Sequence, residues 1–149
     1  MPQDESETIG AWAKRCYFAG RAAMDIALRP YGVGTAQWYI LHKLHHDGPT
    51  MQRDLLQMLQ VERATLSGMV AALVRKGLVE QVPDTSDLRK KCLQLTETGT
   101  QLWDELPDLR FIHDTAFGGL DPVEVETAIR VLRHATQQLD ILNNKRKDR

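Results

Sequence analysis

The sequence is poor in the features that announce most chemistry. Aromatic residues make up only 6% of its 149 positions, and there are two cysteines, Cys16 and Cys92. Two thiols do not build a disulfide framework, and nothing in the sequence points to an oxidising compartment. No run of about 18 apolar residues occurs, which excludes a membrane-spanning helix. The first residues, MPQDESETIG, are acidic and polar where a secretory leader is basic and then apolar, so the expected location is the cytoplasm. There is no glycine-rich phosphate loop, no G-x-S-x-G, no H-E-x-x-H and no C-x-x-C. The charged residues, 26% of the chain, show no convergent acid pair. Neither an enzyme nor a resident cofactor or metal is expected.

What the sequence does hold is enough apolar content, 42%, for one core, and a single domain over residues 1–149 is expected. The net charge of −1 is unevenly spread. Asp4, Glu5 and Glu7 crowd the amino terminus. Between Met51 and Cys92 the balance reverses, with Arg53, Arg63, Arg75, Lys76, Arg89, Lys90 and Lys91 against Asp54, Glu62, Glu80, Asp84 and Asp87. DNA responds to the face it touches and not to the sum, so this excess is compatible with nucleic acid.

Apolar spacing divides the chain. From Glu7 to Leu28, Ile9, Trp12, Cys16, Ala19, Ala23 and Ile26 recur at helical spacing, and Pro30 with Gly32 and Gly34 ends that helix. Thr35 is placed to cap a second helix carrying Trp38, Leu41 and Leu44, stopped by Gly48-Pro49. Thr50 is placed to cap a short third helix with Leu55, Leu56 and Leu59 inward. A fourth helix shows Leu66, Met69, Val70, Leu73 and Val74 on its apolar face and ends at Gly77. Its other face carries Arg63, Ser67, Ala71 and Arg75.

Residues 78–82 and 91–95 read as two strands around the turn-rich, basic segment 83–90, a β-hairpin. Thr96 then opens a longer helix with Leu102, Leu106 and Leu109 inward, bent at Pro107. The last helix starts with Asp121 as cap and Pro122 at its first position, and it uses Val125, Ile129, Leu132 and Leu139 as its apolar stripe.

Helix, turn, helix and then a hairpin with a basic tip defines a winged helix-turn-helix: mainly α, with a small β-hairpin wing and flanking helices at both ends. A B-DNA major groove admits one α-helix, and each base pair displays a distinct donor and acceptor pattern there. The fourth helix can enter because its outer face is small and polar. Near its amino terminus, Arg63 can bridge guanine O6 and N7, while Thr65 and Ser67 can reach bases or phosphates. Lys90 and Lys91 are available for phosphates, Arg53 and Arg75 are further candidates for contact with DNA, and Arg89 suits a narrow, electronegative minor groove. The apolar stripes of the first and last helices are too extensive for one small lobe to cover, which points to a homodimer. The rival reading is a winged helix that binds protein and not DNA.

At this point the sequence resembles the MarR family of bacterial transcription regulators. The resemblance rests on Leu28-Arg29-Pro30, Thr35-Ala36-Gln37-Trp38 with Leu41, and Thr65-Leu66-Ser67 with Val70 and Leu73. It continues through Gly77-Leu78-Val79-Glu80, Asp84-Thr85-Ser86-Asp87-Leu88-Arg89 and Leu93-Gln94-Leu95-Thr96-Glu97-Thr98-Gly99. It implies a homodimer on a palindromic operator, with residues 7–30 and 97–143 as dimerisation helices and 35–96 as the DNA-binding lobe. It implies that Arg89 enters the minor groove and that Asp87 orients it. Leu88 stands where the family's wing has a first arginine. The resemblance also implies a repressor released by a small aromatic or phenolic acid. Trp12, Trp38, Tyr39, Trp103, Phe111 and His113 are the residues available to line its pocket.

Two other sensing modes of such proteins stay open. A redox branch uses a cysteine in the first helix, and Cys16 lies there, on an apolar face where a thiol is ordinarily inert. A zinc-sensing branch uses histidines, and His42 and His46 share one helix face with His45 nearby.

Overall fold

The computed structural model describes residues 4–148 apart from 85, 88 and 89. The described residues fall into two compact units, one ending at Leu109 and the other beginning at Arg110. Among them the first unit contains α1 (Ile9–Leu28), α2 (Thr35–Asp47), β1 (Thr50–Met51), α3 (Gln52–Leu59), α4 (Arg63–Arg75), β2 (Val79–Pro83), β3 (Lys91–Leu95) and α5 (Glu97–Glu105). The second contains α6 (Arg110–Phe117) and α7 (Pro122–Lys147). No helix among the described residues is long and apolar enough to cross a membrane.

The core lies in the first unit. Leu28, Ile40, Leu41, Leu55, Leu66, Val70, Leu73, Val79 and Leu93 are almost wholly buried in it, and Leu56, Leu59, Leu102, Trp103, Leu106 and Leu109 pack around them. The leucines of α3 and α4 thus take the inward positions that their spacing predicts. Val74 does not. It is 42% exposed, because the core covers only the arc of α4 through Leu66, Val70 and Leu73.

Three local expectations change for identifiable reasons. Thr35 does not cap α2, since Gly34 occupies that place and its amide donates to Gln37 Oε1 at 3.3 Å. The Thr35 hydroxyl and amide donate instead to Asp25 Oδ1 on α1. Thr50 does not cap α3 either. With Met51 it forms a third strand, pairing antiparallel with Leu93 and Cys92, and its hydroxyl donates to Gly48 O at 2.9 Å. The sheet therefore has the order β1-β3-β2, with β2 and β3 in register from Val79–Leu95 to Pro83–Lys91. Finally, Pro107 ends a helix where a bend was expected. Leu106 before it is extended (ψ 146°), as a residue preceding proline prefers, and α5 and α6 are separate.

The hairpin is clamped to the end of α4 through one threonine. Thr96 Oγ1 donates to Gly77 O at 2.5 Å and accepts from Gly99 N at 3.0 Å, while Thr96 N donates to Leu78 O at 3.1 Å. Gly77, at φ +74°, makes the tight reversal that lets this happen. Gly99 is needed for a different reason: a Cβ there would sit 2.0 Å from Leu78 O, a backbone atom that cannot step aside. Gly99→Ala is therefore expected to destabilise the fold by about 3 kcal/mol. In a thermal melt followed by circular dichroism this reads as a fall of about 6–12 °C in Tm.

In the second unit Asp121 caps α7 as its sequence position indicates, accepting from Val123 N at 2.9 Å. The stripe of α7 is open among the described residues: Ile129, Leu132 and Leu139 are exposed. The same holds for α1, where Ile9, Trp12, Tyr17, Phe18 and Ile26 are exposed. Cys16 is exposed too, in place of the inert packing expected of it, beside the exposed Tyr17 and Phe18.

Candidate nucleic-acid interface

The small residues of α4 leave its outward face lean. Arg63, Ala64, Thr65, Ser67, Gly68 and Ala71 are all exposed, and none carries bulk close to the helix axis except Arg63. The backbone amides of the first turn have no side-chain cap, so they and the positive end of the helix dipole face outward. This end of α4 borders a cleft of about 350 Å³ shared with the start of α3 and the start of β3. Arg53, Arg63, Lys90 and Lys91 line it, together with Ser67 and Gln52. Every charged side chain lining it among the described residues is cationic, so the local field favours an anion although the chain as a whole is slightly acidic.

The structure thus gathers Arg53, Arg63, Ser67 and Lys90 at one place, and Thr65 stands exposed on the same first turn of α4. Arg53 Nε is 3.9 Å from Asp54 Oδ1, an exposed pairing too loose to neutralise it. Arg75 is not part of the group. A four-residue repeat drifts about 40° per step on a helix, so twelve residues carry Arg75 about 120° away from Arg63. Gln52 was not foreseen. It opens α3 and its Oε1 is buried without a hydrogen-bond partner among the described residues. Reading Thr50 as a cap hid it, because only the pairing of β1 with β3 turns this residue into a cleft wall.

The wing tip is organised by Asp84. Its Oδ2 accepts from Ser86 Oγ at 2.5 Å and from Asp87 N at 3.2 Å, and Lys90 N donates to Asp87 O at 3.0 Å. The Ser86 hydroxyl holds the Asp84 carboxyl below its ordinary range. Arg89, the minor-groove residue the resemblance implies, lies outside the described residues together with Leu88 and Thr85.

A second cluster is aromatic. Trp38 packs edge-on against Tyr39 at 5.2 Å, stacks on His42 at 5.0 Å and meets Trp103 of α5 at 5.6 Å. His42 continues the stack to His46 at 5.6 Å, and His45 stacks on Trp103 at 5.2 Å. Trp12 is engaged with its own helix region, donating to Glu7 Oε2 at 3.3 Å beneath the Arg15 guanidinium. His113 belongs to the second unit, where its ring packs on Phe117 at 5.1 Å. Of the effector-lining residues read from sequence, Trp38, Tyr39 and Trp103 are therefore brought together.

Desolvation, and then the charges of His46 and His45, hold His42 below its ordinary value of 6.5. The unfolded chain binds this proton more readily than the native one, so His42 lowers stability as pH falls through about 6.5 and has no such effect well above it. His42→Gln is expected to lose less Tm than the wild type between pH 7.5 and pH 5.5. An equal loss in both would remove His42 as the cause.

A lean helix bordered by a cationic hairpin on a three-stranded sheet is the architecture of winged helix-turn-helix regulators, which lay one helix in the DNA major groove. Comparison with known proteins agrees. A family model described as MarR family matches residues 35–91. The HTH-type transcriptional repressor NicR of Pseudomonas putida is 30% identical over 133 residues, 89% of this chain and 84% of that protein. The transcriptional activatory protein BadR of Rhodopseudomonas palustris is 30% identical over 125 residues, 79% of this chain and 67% of that one. Among solved structures, Bordetella bronchiseptica BpsR, described for the regulation of its DNA binding by 6-hydroxynicotinic acid, superposes with a TM-score of 0.78 at 26% identity, covering 91% of this chain and 98% of its own. A mutant MarR from E. coli complexed with operator DNA shares the fold, with a TM-score of 0.76 at 23% identity over 85% of this chain and 92% of its own. The chain belongs to the MarR family: it is a DNA-binding transcription regulator and not an enzyme.

Proposed function

We propose that the protein is a repressor that binds a palindromic operator as a homodimer and leaves it when a small aromatic acid binds. The observation that carries this reading is the cleft where, among the described residues, the amino end of α4 meets four cations and no carboxylate. Arg63 and Ser67 of the cleft, with Thr65 exposed on the same turn of α4, address base edges. Arg53, Lys90 and Lys91 hold phosphates, Arg75 reaches the backbone further along, and Arg89, oriented by Asp87, serves the wing.

The uncovered apolar stripes of α1 and α7 support the dimer, whose two copies of α4 then lie about one DNA turn apart. Residues 7–30 and 97–143 supply its helices. NicR is described as a repressor, and BpsR responds to 6-hydroxynicotinic acid. The cluster of Trp38, Tyr39 and Trp103 offers stacking surface for a ligand of that kind.

The test is fluorescence anisotropy on a duplex selected by the wild-type protein from a randomised pool, with and without 6-hydroxynicotinic acid and a panel of phenolic acids. At least one of these acids is expected to weaken binding, and Trp38→Ala to blunt its effect. If no acid in the panel changes affinity, the effector part of the proposal falls and the DNA-binding part stands.

A further inference from the structure

α4 ends in a residue whose side chain leaves the helix and grips another part of the fold. Lys76, the carboxy-terminal cap of α4, donates from Nζ to Gly32 O at 2.7 Å and to Gln37 Oε1 at 3.3 Å. Gly32 lies in the turn between α1 and α2 at φ +67°, and Gln37 stands in the first turn of α2, where its Oε1 also accepts from Gly34 N at 3.3 Å. The same junction is tied to α1, because Asp25 Oδ1 accepts from Thr35 N at 3.3 Å and from the Thr35 hydroxyl. One ammonium thus joins the far end of α4 to the turn that connects α1 with the DNA-binding lobe.

We infer that Lys76 is a positioning residue for DNA reading: it fixes the tilt of α4 through the α1–α2 turn and does not itself hold a phosphate. This rests on the reading of α4 as the helix that enters the major groove. The physical reason is leverage. α4 has 13 residues and is about 20 Å long, and it is rooted in the core by Leu66, Val70 and Leu73, with Met69 packed partly against them. A tilt of about 3° at one end moves the other by about 1 Å, enough to take a base-edge hydrogen bond outside its working range of about 2.7–3.2 Å. An ammonium engaged by a carbonyl and an amide oxygen is a charge-assisted restraint on that tilt. It also places a cation at the negative end of the helix dipole. The restraint matters for base contacts, which need accurate placement, and little for phosphate contacts, which lysine and arginine stems follow.

The experiment compares wild type, Lys76→Met and Lys76→Arg on the selected duplex and on an unrelated duplex, over a range of salt. K76M is expected to bind the selected duplex about tenfold more weakly, the scale of one charge-assisted bond. Its affinity for the unrelated duplex and its slope of log K against log salt should stay as in wild type, and K76R should recover most of the loss. A lost phosphate contact behaves otherwise: both duplexes weaken together and the slope falls by about 0.9 per contact. That result, or equal affinity of K76M and wild type, overturns the inference.

If K76M also melts early, Gln37→Leu gives an independent answer. Its loss should not add to that of K76M in the double variant, since the two remove one restraint, and full additivity would contradict the proposal. A wild-type protein that selects no duplex defeats the underlying reading of α4 and the inference with it. A wild type that selects one while K76M is unaffected defeats the inference alone.

Discussion

A chain ending at Phe117 is expected to be monomeric and to bind the palindromic duplex at least about 100-fold more weakly than the full chain, because two linked half-site contacts become one. The shortened chain lacks α7, the 26-residue helix whose Ile129, Leu132 and Leu139 lie exposed. A soluble protein rarely leaves such a stripe open to water unless something covers it. The unit that carries the core ends at Leu109, so the lobe should still fold, and circular dichroism should still show its helices. Sedimentation equilibrium reads the oligomeric state directly. A monodisperse dimer from this shorter chain would show that α7 does not hold the copies together.

The second large effect comes from the cleft. Removing three of its cations together, in Arg53→Ala/Arg63→Ala/Lys90→Ala, is expected to weaken binding about 1000-fold, at about tenfold for each charge-assisted contact. The salt dependence should flatten as well, by about 0.9 in slope for each phosphate contact removed. All three side chains are exposed, so the fold should melt near the wild-type temperature. This separates a lost interface from a lost structure. An unchanged salt slope would mean that the cations of this cleft face solvent and not DNA.

Periodicity made α4 and the hairpin legible because their register is fixed by contacts within a few residues: Leu66, Val70 and Leu73 recur on one face, and Gly77 closes the helix. The lean outer face followed from the same arithmetic. What escaped was decided by partners far along the chain. Thr50 and Met51 look like a helix entrance until Leu93 and Cys92 offer them a strand to pair with. Thr35 has the chemistry of a cap, but Asp25 lies beside it and takes its hydroxyl. Val74 fits the apolar pattern of α4 and still faces outward, since the neighbouring elements fill only part of the arc.

Within the site, the cations were visible one by one and their convergence was not. Arg53 and Lys90 meet only because β1 joins the sheet, and the same event exposes Gln52 to the cleft. Lys76 counted as one more positive charge in the sequence, and only the fold reveals that it is committed to Gly32 and Gln37. The aromatic pocket divided in the same way. Trp38 and Trp103 lie far apart in sequence and touch, while Trp12 spends its ring on Glu7 and Arg15.

The most direct trial of α4 as the reading helix is a selection of duplexes from a randomised pool by wild type and by Thr65→Ala/Ser67→Ala in parallel. Wild type should return an inverted repeat with half-site centres about one helical turn apart. The double variant should return the same spacing with relaxed preference at the same position of each half, since hydroxyls facing base edges are gone while the phosphate contacts remain. An identical base preference from both proteins would contradict the account, because it would place the sequence-reading surface somewhere other than the first turns of α4.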